Sequence, residues 1–170
     1  MPKGKQLFSI RAAESGDLDA MVRIARAAWR PIFDSFREIM GSELFDVAYT
    51  NWQDDKERQI RNAADTSTPV QFLVAEQDRV VVGFVSWVVT SVDGNKIAEI
   101  GNNAVDPEYQ NRGIAASLYD AVIGTCRDSG VTAMKVTTGL DPSHAPARRA
   151  YEKAGFAHGV PMVTYWRSVK

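Results

Sequence analysis

The stretch Gln110-Asn111-Arg112-Gly113-Ile114-Ala115-Ala116 places donors, one fixed charge and several small residues between a strand-like run and a helix-like run. The first N–H groups of a helix have no partner within the helix, and the helix dipole adds partial positive charge there. Such a terminus takes an anion. Gly113 lets a ligand approach the backbone closely and tolerates positive φ. Ala115 and Ala116 keep the surface low, and Arg112 can add a charged contact. Each dipole or backbone contribution is worth about 0.3–2 kcal/mol, so several must act together to hold a pyrophosphate. The junction therefore suits a phosphate-bearing cofactor; the competing reading is an ordinary turn with a solvated arginine. A P-loop would need a Gly-Lys-Ser/Thr ending and a dinucleotide fingerprint three spaced glycines, whereas this stretch offers only Gly113.

Other reactive side chains are few. Cys126 is the one cysteine, so it forms no internal disulfide, and no histidine lies near it in sequence. It reads as a small apolar residue on a buried helix face. With only His144 and His158 beside it, the chain does not read as a His/Cys zinc protein.

The elements that must position the junction follow from periodicity. Residues 7–12 alternate as a short strand. A helix follows, with Asp17 as N-cap and Leu18, Met21, Val22, Ile24, Ala25 and Ala28 at helical spacing; Pro31 should end or kink it. Residues 42–64 read as one second helix capped by Ser42, with Leu44, Val47, Ala48 and Trp52 on one side. Two valine- and aromatic-rich runs, "VQFLVAE" and "VVVGFVSWVVT", flank the turn "QDR" and read as a hairpin. "SVDGNK" is a second turn and "IAEIGNNAV" a third strand. Ile114, Leu118, Val122 and Cys126 fall four apart on the helix after the junction, which Gly130 stops. "VTAMKVTT" is the next strand, "GLDPSHAP" a loop, and "ARRAYEKAGF" a short helix closed by Gly155. The tail "VPMVTYWRSV" reads as a last strand. The unit from about 97 to 138 should be a parallel strand–helix–strand crossover after antiparallel strands. The expected class is α+β, an α/β sandwich with a mixed sheet and helices on both faces, in one domain over 1–170.

Two segments resemble a known family. Val105, Asp106, Pro107, Gln110, Gly113 and Ala115 are similar to motif A of the Gcn5-related N-acetyltransferases (GNAT), V-x-P-x-x-Q/R-x-x-G-x-G/A. Some 35 residues later, Ala147, Tyr151, Glu152, Gly155 and Phe156 match the family's second acyl-CoA segment, N-x-x-A-x-x-x-Y-E-x-x-G-F. His144 stands where that segment usually has asparagine. The resemblance runs from about 8 to 168 and is strongest over 97–156. It implies a sheet of six to seven strands and acetyl-CoA, or another short acyl-CoA, as co-substrate. It implies that the pyrophosphate lies on backbone N–H groups from Gln110 through Asn111, Arg112, Gly113 and Ile114 to Ala115, with Ala116 beside them. The pantetheine arm would follow the strand ending at Ala104-Val105, where the family's sheet splays, with Asn102 and Asn103 near it. The usual asparagine contacts that arm, so His144 is a candidate cofactor contact, against a plain loop or cap residue.

Acetyl transfer to an amine needs a neutral nucleophile. Deprotonating a lysine-like amine of pKa near 10.4 at pH 7 costs roughly 4.6 kcal/mol, so a base or a water chain to one is useful. The resemblance places Tyr151 opposite the CoA sulfur, where a protonated phenol can serve as acid to the leaving thiolate. Glu99 is the candidate base. It sits in an apolar strand, where a carboxylate is costly unless solvated, paired or used, and "AEI" is similar to the histone-acetyltransferase branch, whose glutamate is the base. Strict alternation puts Glu99, Gly101, Asn103 and Val105 on one face.

The acceptor would lie against the first two helices and the tail, where Trp29, Phe33, Phe36, Tyr49 and Trp52 are aromatic and Asp34, Glu38 and Glu43 acidic. The expected acceptor is a small-molecule amine, with a peptide amine as the other possibility. A non-catalytic acyl-CoA sensor or partner-binding module is the rival function. The chain has 170 residues and a formal net charge of −1, 20 Lys and Arg against 21 Asp and Glu, which argues against nucleic acid as a partner. No apolar run suits a membrane span and no signal region is evident, so a cytoplasmic protein is expected. Homodimers are frequent in the family, so the resemblance implies a homodimer as a candidate assembly.

Overall fold

A computed structural model describes residues 7–169. Five strands form one sheet in the order β1-β2-β3-β4-β5: β1 Ser9–Ala12, β2 Gln71–Gln77, β3 Val80–Val92, β4 Asn95–Val105 and β5 Ala133–Val136. The first four pair antiparallel, and β4 pairs β5 in parallel. Two-residue turns join β2 to β3 and β3 to β4. Their central residues all have positive φ: Asp78 at 50° and Arg79 at 66°, then Asp93 at 48° and Gly94 at 81°. That is the turn geometry whose twist matches a hairpin.

Helices cover both faces. On one, α1 (Leu18–Met40) and α3 (Trp52–Ala63) pack on the sheet. Met21, Ile24, Ala25, Ile60, Val74 and Phe84 form the core there. On the other, α4 (Ile114–Asp128) and α5 (Ala145–Lys153) bury Leu118, Val122, Cys126 and Tyr151 against Val85, Trp87, Ala98 and Ile100. Gly83 lets α4 come close: a Cβ there would sit 3.1 Å from the Ala104 carbonyl and 3.2 Å from Ile114.

Several elements depart from expectation. The 42–64 helix is two, α2 (Ser42–Ala48) and α3, because Tyr49 leaves helical geometry at φ −136° and Thr50 and Asn51 turn the chain. Gly41, not Ser42, caps α2. Pro31 neither ends nor divides α1, which runs 23 residues; residues on both sides of it pack on the same helix, Trp29 on Lys56 and Phe33 on Trp52 of α3. Asp17 precedes α1 without a side-chain cap bond; its carboxylate instead receives Arg11 and the Glu14 N–H. The sheet has five strands, not six to seven, because the tail forms none. Gly159 and Pro161 interrupt it, and Pro161 has no N–H to give a ladder. Val160, Met162 and Tyr165 are consequently exposed.

The decisive irregularity lies in β4. Ile100 pairs with Trp87 but Asn103 pairs with Val85, so Gly101 and Asn102 together oppose Ser86. This bulge reverses the alternation. Asn103 and Val105 join the α4/α5 face, with Val85 and Trp87. Glu99, paired with Val88, belongs to the α1/α3 face with Phe84. The single-face expectation for Glu99, Gly101, Asn103 and Val105 is therefore wrong.

Candidate functional site

The turn into α4 is held from below. The buried Asp106 accepts from the Glu108 N–H at 3.1 Å and from Arg23 of α1 at 2.7 Å. Gln110 Nε2 donates to the Val105 carbonyl at 3.2 Å. Arg112 donates to the Glu108 carbonyl at 2.9 Å and lies over the Tyr109 ring. Asn111 at φ 61° and Gly113 at φ 80° are both left-handed, which reorients successive backbone N–H groups. A Cβ on Gly113 would meet nothing within 4 Å, so the glycine serves conformation and leaves the approach open. The first turn of α4 carries no acidic residue. This is a terminus whose donors fit a phosphate-bearing ligand.

Beside it, β4 loses a neighbour. Its parallel pairing with β5 covers only Ile97–Ile100. From Gly101 to Val105, β4 keeps β3 on one side and has no β5 residue on the other. Asn103 projects from this segment into a polar triad in an apolar setting. Its Nδ2 donates to the Tyr151 oxygen at 3.0 Å, and its Oδ1 accepts the Tyr119 hydroxyl at 2.8 Å. The two rings are 5.3 Å apart. Burial pushes the Tyr151 phenol above its ordinary pKa, although its hydrogen bonds with Asn103 and Tyr119 work the other way. Burial also raises Tyr119. Both phenols hold their protons at neutral pH.

The other expected residues lie elsewhere. Glu99 is half-exposed and ion-paired to Lys135 of β5 at 2.8 Å. His144 ends a short 3-10 turn that leads into α5; its Nδ1 is 2.5 Å from Asp141 Oδ2, and its ring lies 5.9 Å from Phe36 of α1. Burial raises the Asp141 carboxyl, but hydrogen bonds from Ser143 and His144 outweigh it and leave it below the ordinary range. His144 is thus not part of the Tyr151 triad. Cys126 is buried and free, and burial raises its thiol. Among the described residues no group of three His, Cys, Asp or Glu is placed to hold a metal, and no helix is long and apolar enough to cross a membrane.

Two residues escaped sequence reasoning. Tyr119 lies on the buried stripe of α4 next to Leu118, and only the fold shows that it reaches Asn103. Lys56 had a signal in its spacing: Trp52, Lys56 and Ile60 fall four apart on α3, a lysine inside an apolar stripe. Its Nζ sits 4.4 Å from the Trp29 ring centroid and 3.2 Å from Asn102 Oδ1.

The profile of the acetyltransferase (GNAT) family matches residues 29–156. A protein named mycothiol acetyltransferase from Propionibacterium freudenreichii subsp. shermanii is 27% identical over 92% of this chain and 44% of its own length. The chain thus spans less than half the length of that curated relative. A possible acetyltransferase from Clostridium difficile 630 superposes with a TM-score of 0.65 at 18% identity, over 96% of this chain and 99% of that one. AAC(6')-Iy, in complex with the bisubstrate analogue CoA-S-monomethyl-acetylneamine, gives a TM-score of 0.65 at 16% identity, over 95% and 98%. With the profile covering most of its length and both solved structures sharing its fold, the chain belongs to the GNAT family of acetyltransferases.

Proposed function

We propose that this domain is an acetyl-CoA-dependent N-acetyltransferase that moves an acetyl group directly to the primary amine of a small molecule. The observation that carries the reading is the Asn103–Tyr151 hydrogen bond. It joins a protonated phenol on α5 to the part of β4 that has no β5 neighbour, next to the open terminus of α4. The side of β4 that β5 leaves uncovered beyond Ile100 is where a pantetheine arm would lie, along the stretch ending at Ala104 and Val105, and the N–H groups from Gln110 to Ala115 receive the pyrophosphate. His144, fixed by Asp141, is assigned to the arm as well. A small-molecule acceptor is supported by the name of a relative, a mycothiol acetyltransferase, and by a protein of the same fold in complex with the bisubstrate analogue CoA-S-monomethyl-acetylneamine.

Acetyl-CoA supplies an activated thioester. Tyr151 holds a proton on the α4/α5 face and gives it to the departing thiolate. Glu99 faces the α1/α3 side, where the amine approaches, and takes the amine's proton. To do so its carboxylate exchanges the Lys135 ion pair for that proton. Acid and base on opposite faces of β4 keep the two proton transfers apart.

The test is calorimetric titration with acetyl-CoA, with 3′-dephospho-CoA and NAD as controls, followed by an amine panel monitored by released CoA. Micromolar acetyl-CoA binding with no NAD binding, then CoA release with some amine, is the expected result. Absence of acetyl-CoA binding would overturn the assignment of the α4 turn. Binding without CoA release across the panel would favour an acyl-CoA sensor.

A further inference from the structure

Along α3, the stripe facing α1 reads Trp52, Lys56, Ile60. Ile60 is fully buried, and Trp52 stacks on Phe33 with centroids 4.3 Å apart. The rung between them pairs Lys56 with Trp29, four residues before Phe33 on α1. Packing would accept an apolar side chain here, yet the sequence supplies an ammonium.

The groups touching that ammonium are neutral. Nζ lies 2.9 Å from Gln59 Oε1, 3.2 Å from Asn102 Oδ1 and 4.4 Å from the Trp29 centroid, and among the described residues no carboxylate is within ion-pair distance. Neighbouring acids on α3 serve other cations: Asp54 and Glu57 hold Arg26, and Asp55 holds Arg58. Glu99 holds Lys135. Desolvation without a counter-charge lowers the Lys56 pKa to about 8. A half-buried cation in this state gains from any anion that reaches it.

Its position says which anion. Asn102 is a bulge residue of β4, in the segment without a β5 neighbour, and its carbonyl is fixed by the Ser86 hydroxyl at 3.1 Å. Lys56 therefore sits on the α1/α3 face of the strand that has Tyr151 on its other face. The phosphate-fitting terminus of α4 belongs to that other face. We propose that Lys56 binds a carboxylate on the acceptor, so that the preferred substrates are amines bearing a carboxylate close to the reacting nitrogen. This rests on the acetyl-transfer reading of the same site. One ammonium among neutral partners matches one negative charge, which favours a carboxylate over a phosphate dianion.

The test uses matched pairs, each of the common amino acids against its carboxamide, with O-phosphoethanolamine as the phosphate arm. Binding is read by thermal shift with CoA present, and transfer by CoA release, for the native protein, Lys56→Met and Lys56→Arg. At least one carboxylate should bind about tenfold or more tightly than its amide. That preference should collapse in Lys56→Met, which keeps the packing, and largely survive in Lys56→Arg. No preference for a carboxylate across the panel, a preference kept in Lys56→Met, or tighter binding of the phosphate would overturn the proposal. A Lys56-dependent preference in binding without any CoA release would leave Lys56 as the anion site and remove the transferase reading. CoA release without the preference would do the reverse.

Discussion

Asn103 ties the Tyr151 phenol to the strand, and its amide offers a donor and an acceptor to two tyrosines. Because burial raises the Tyr151 pKa, the phenol is in its acid form across the working pH range. Tyr151→Phe should therefore cut turnover by about 10²-fold or more while acetyl-CoA affinity, measured by calorimetry, stays within about twofold. Equal loss in both would remove Tyr151 as the acid. A base works only when deprotonated, so a carboxylate base gives a pH–rate profile with a rising limb. Glu99→Gln should lower kcat and flatten that rising limb in a pH–rate profile; an unchanged limb would assign the proton to water or another group. The place of Tyr151 on a short helix was legible because its segment has a distinctive spacing. The orientation of Glu99 was not, since one extra residue in β4 changes which face a side chain takes.

At the scale of elements, the α4 terminus depends on Gly113 holding φ 80° in open space. Gly113→Val adds strain of roughly 1–2 kcal/mol and puts a branched side chain over the donors, so acetyl-CoA affinity should fall at least about tenfold. A melting curve on the same sample separates this from unfolding. The β1–α1 corner makes a different prediction. Arg11 bridges Asp17 and Glu76, each at 2.6 Å, and its hydrogen bond holds the Asp17 carboxyl below its ordinary pKa. A depressed folded-state pKa stabilises the fold above the unfolded value near 3.8 and loses that contribution as pH falls through the folded value. Urea melts from pH 6 to pH 2 should show stability draining below about pH 4, with a shallower decline in Asp17→Asn. In the α1–α3 seam, Lys56→Met should raise stability by about 1 kcal/mol, because an uncompensated ammonium gives way to apolar packing.

Over the whole molecule, a ligand spanning the α4 terminus and β4 binds only the folded protein. Acetyl-CoA at 100 times its Kd should add about 2.7 kcal/mol of stability, a rise of roughly 5–10 °C in Tm for a domain of this size. An unchanged Tm would mean that the turn and the strand do not form one site. The sequence by itself determined what depends on neighbours along the chain. Hairpins around Asp78-Arg79 and Asp93-Gly94, the apolar stripe of α4 and the spacing from Val105 to Phe156 are local patterns, and local φ preferences and helical periodicity express them directly. Only the tertiary structure decided what depends on which residue opposes which. The β4 bulge is a mismatch between two strands, and it alone sends Asn103 to Tyr151 and Glu99 to the other face. The missing last strand is likewise a matter of pairing: "VPMVTYWRSV" has β-forming residues, but Pro161 cannot donate and β5 offers four residues of edge. Lys56 shows the same division. Its place in an apolar stripe is written in the sequence, while its reach to Asn102 exists only once α1, α3 and the bulge are packed together.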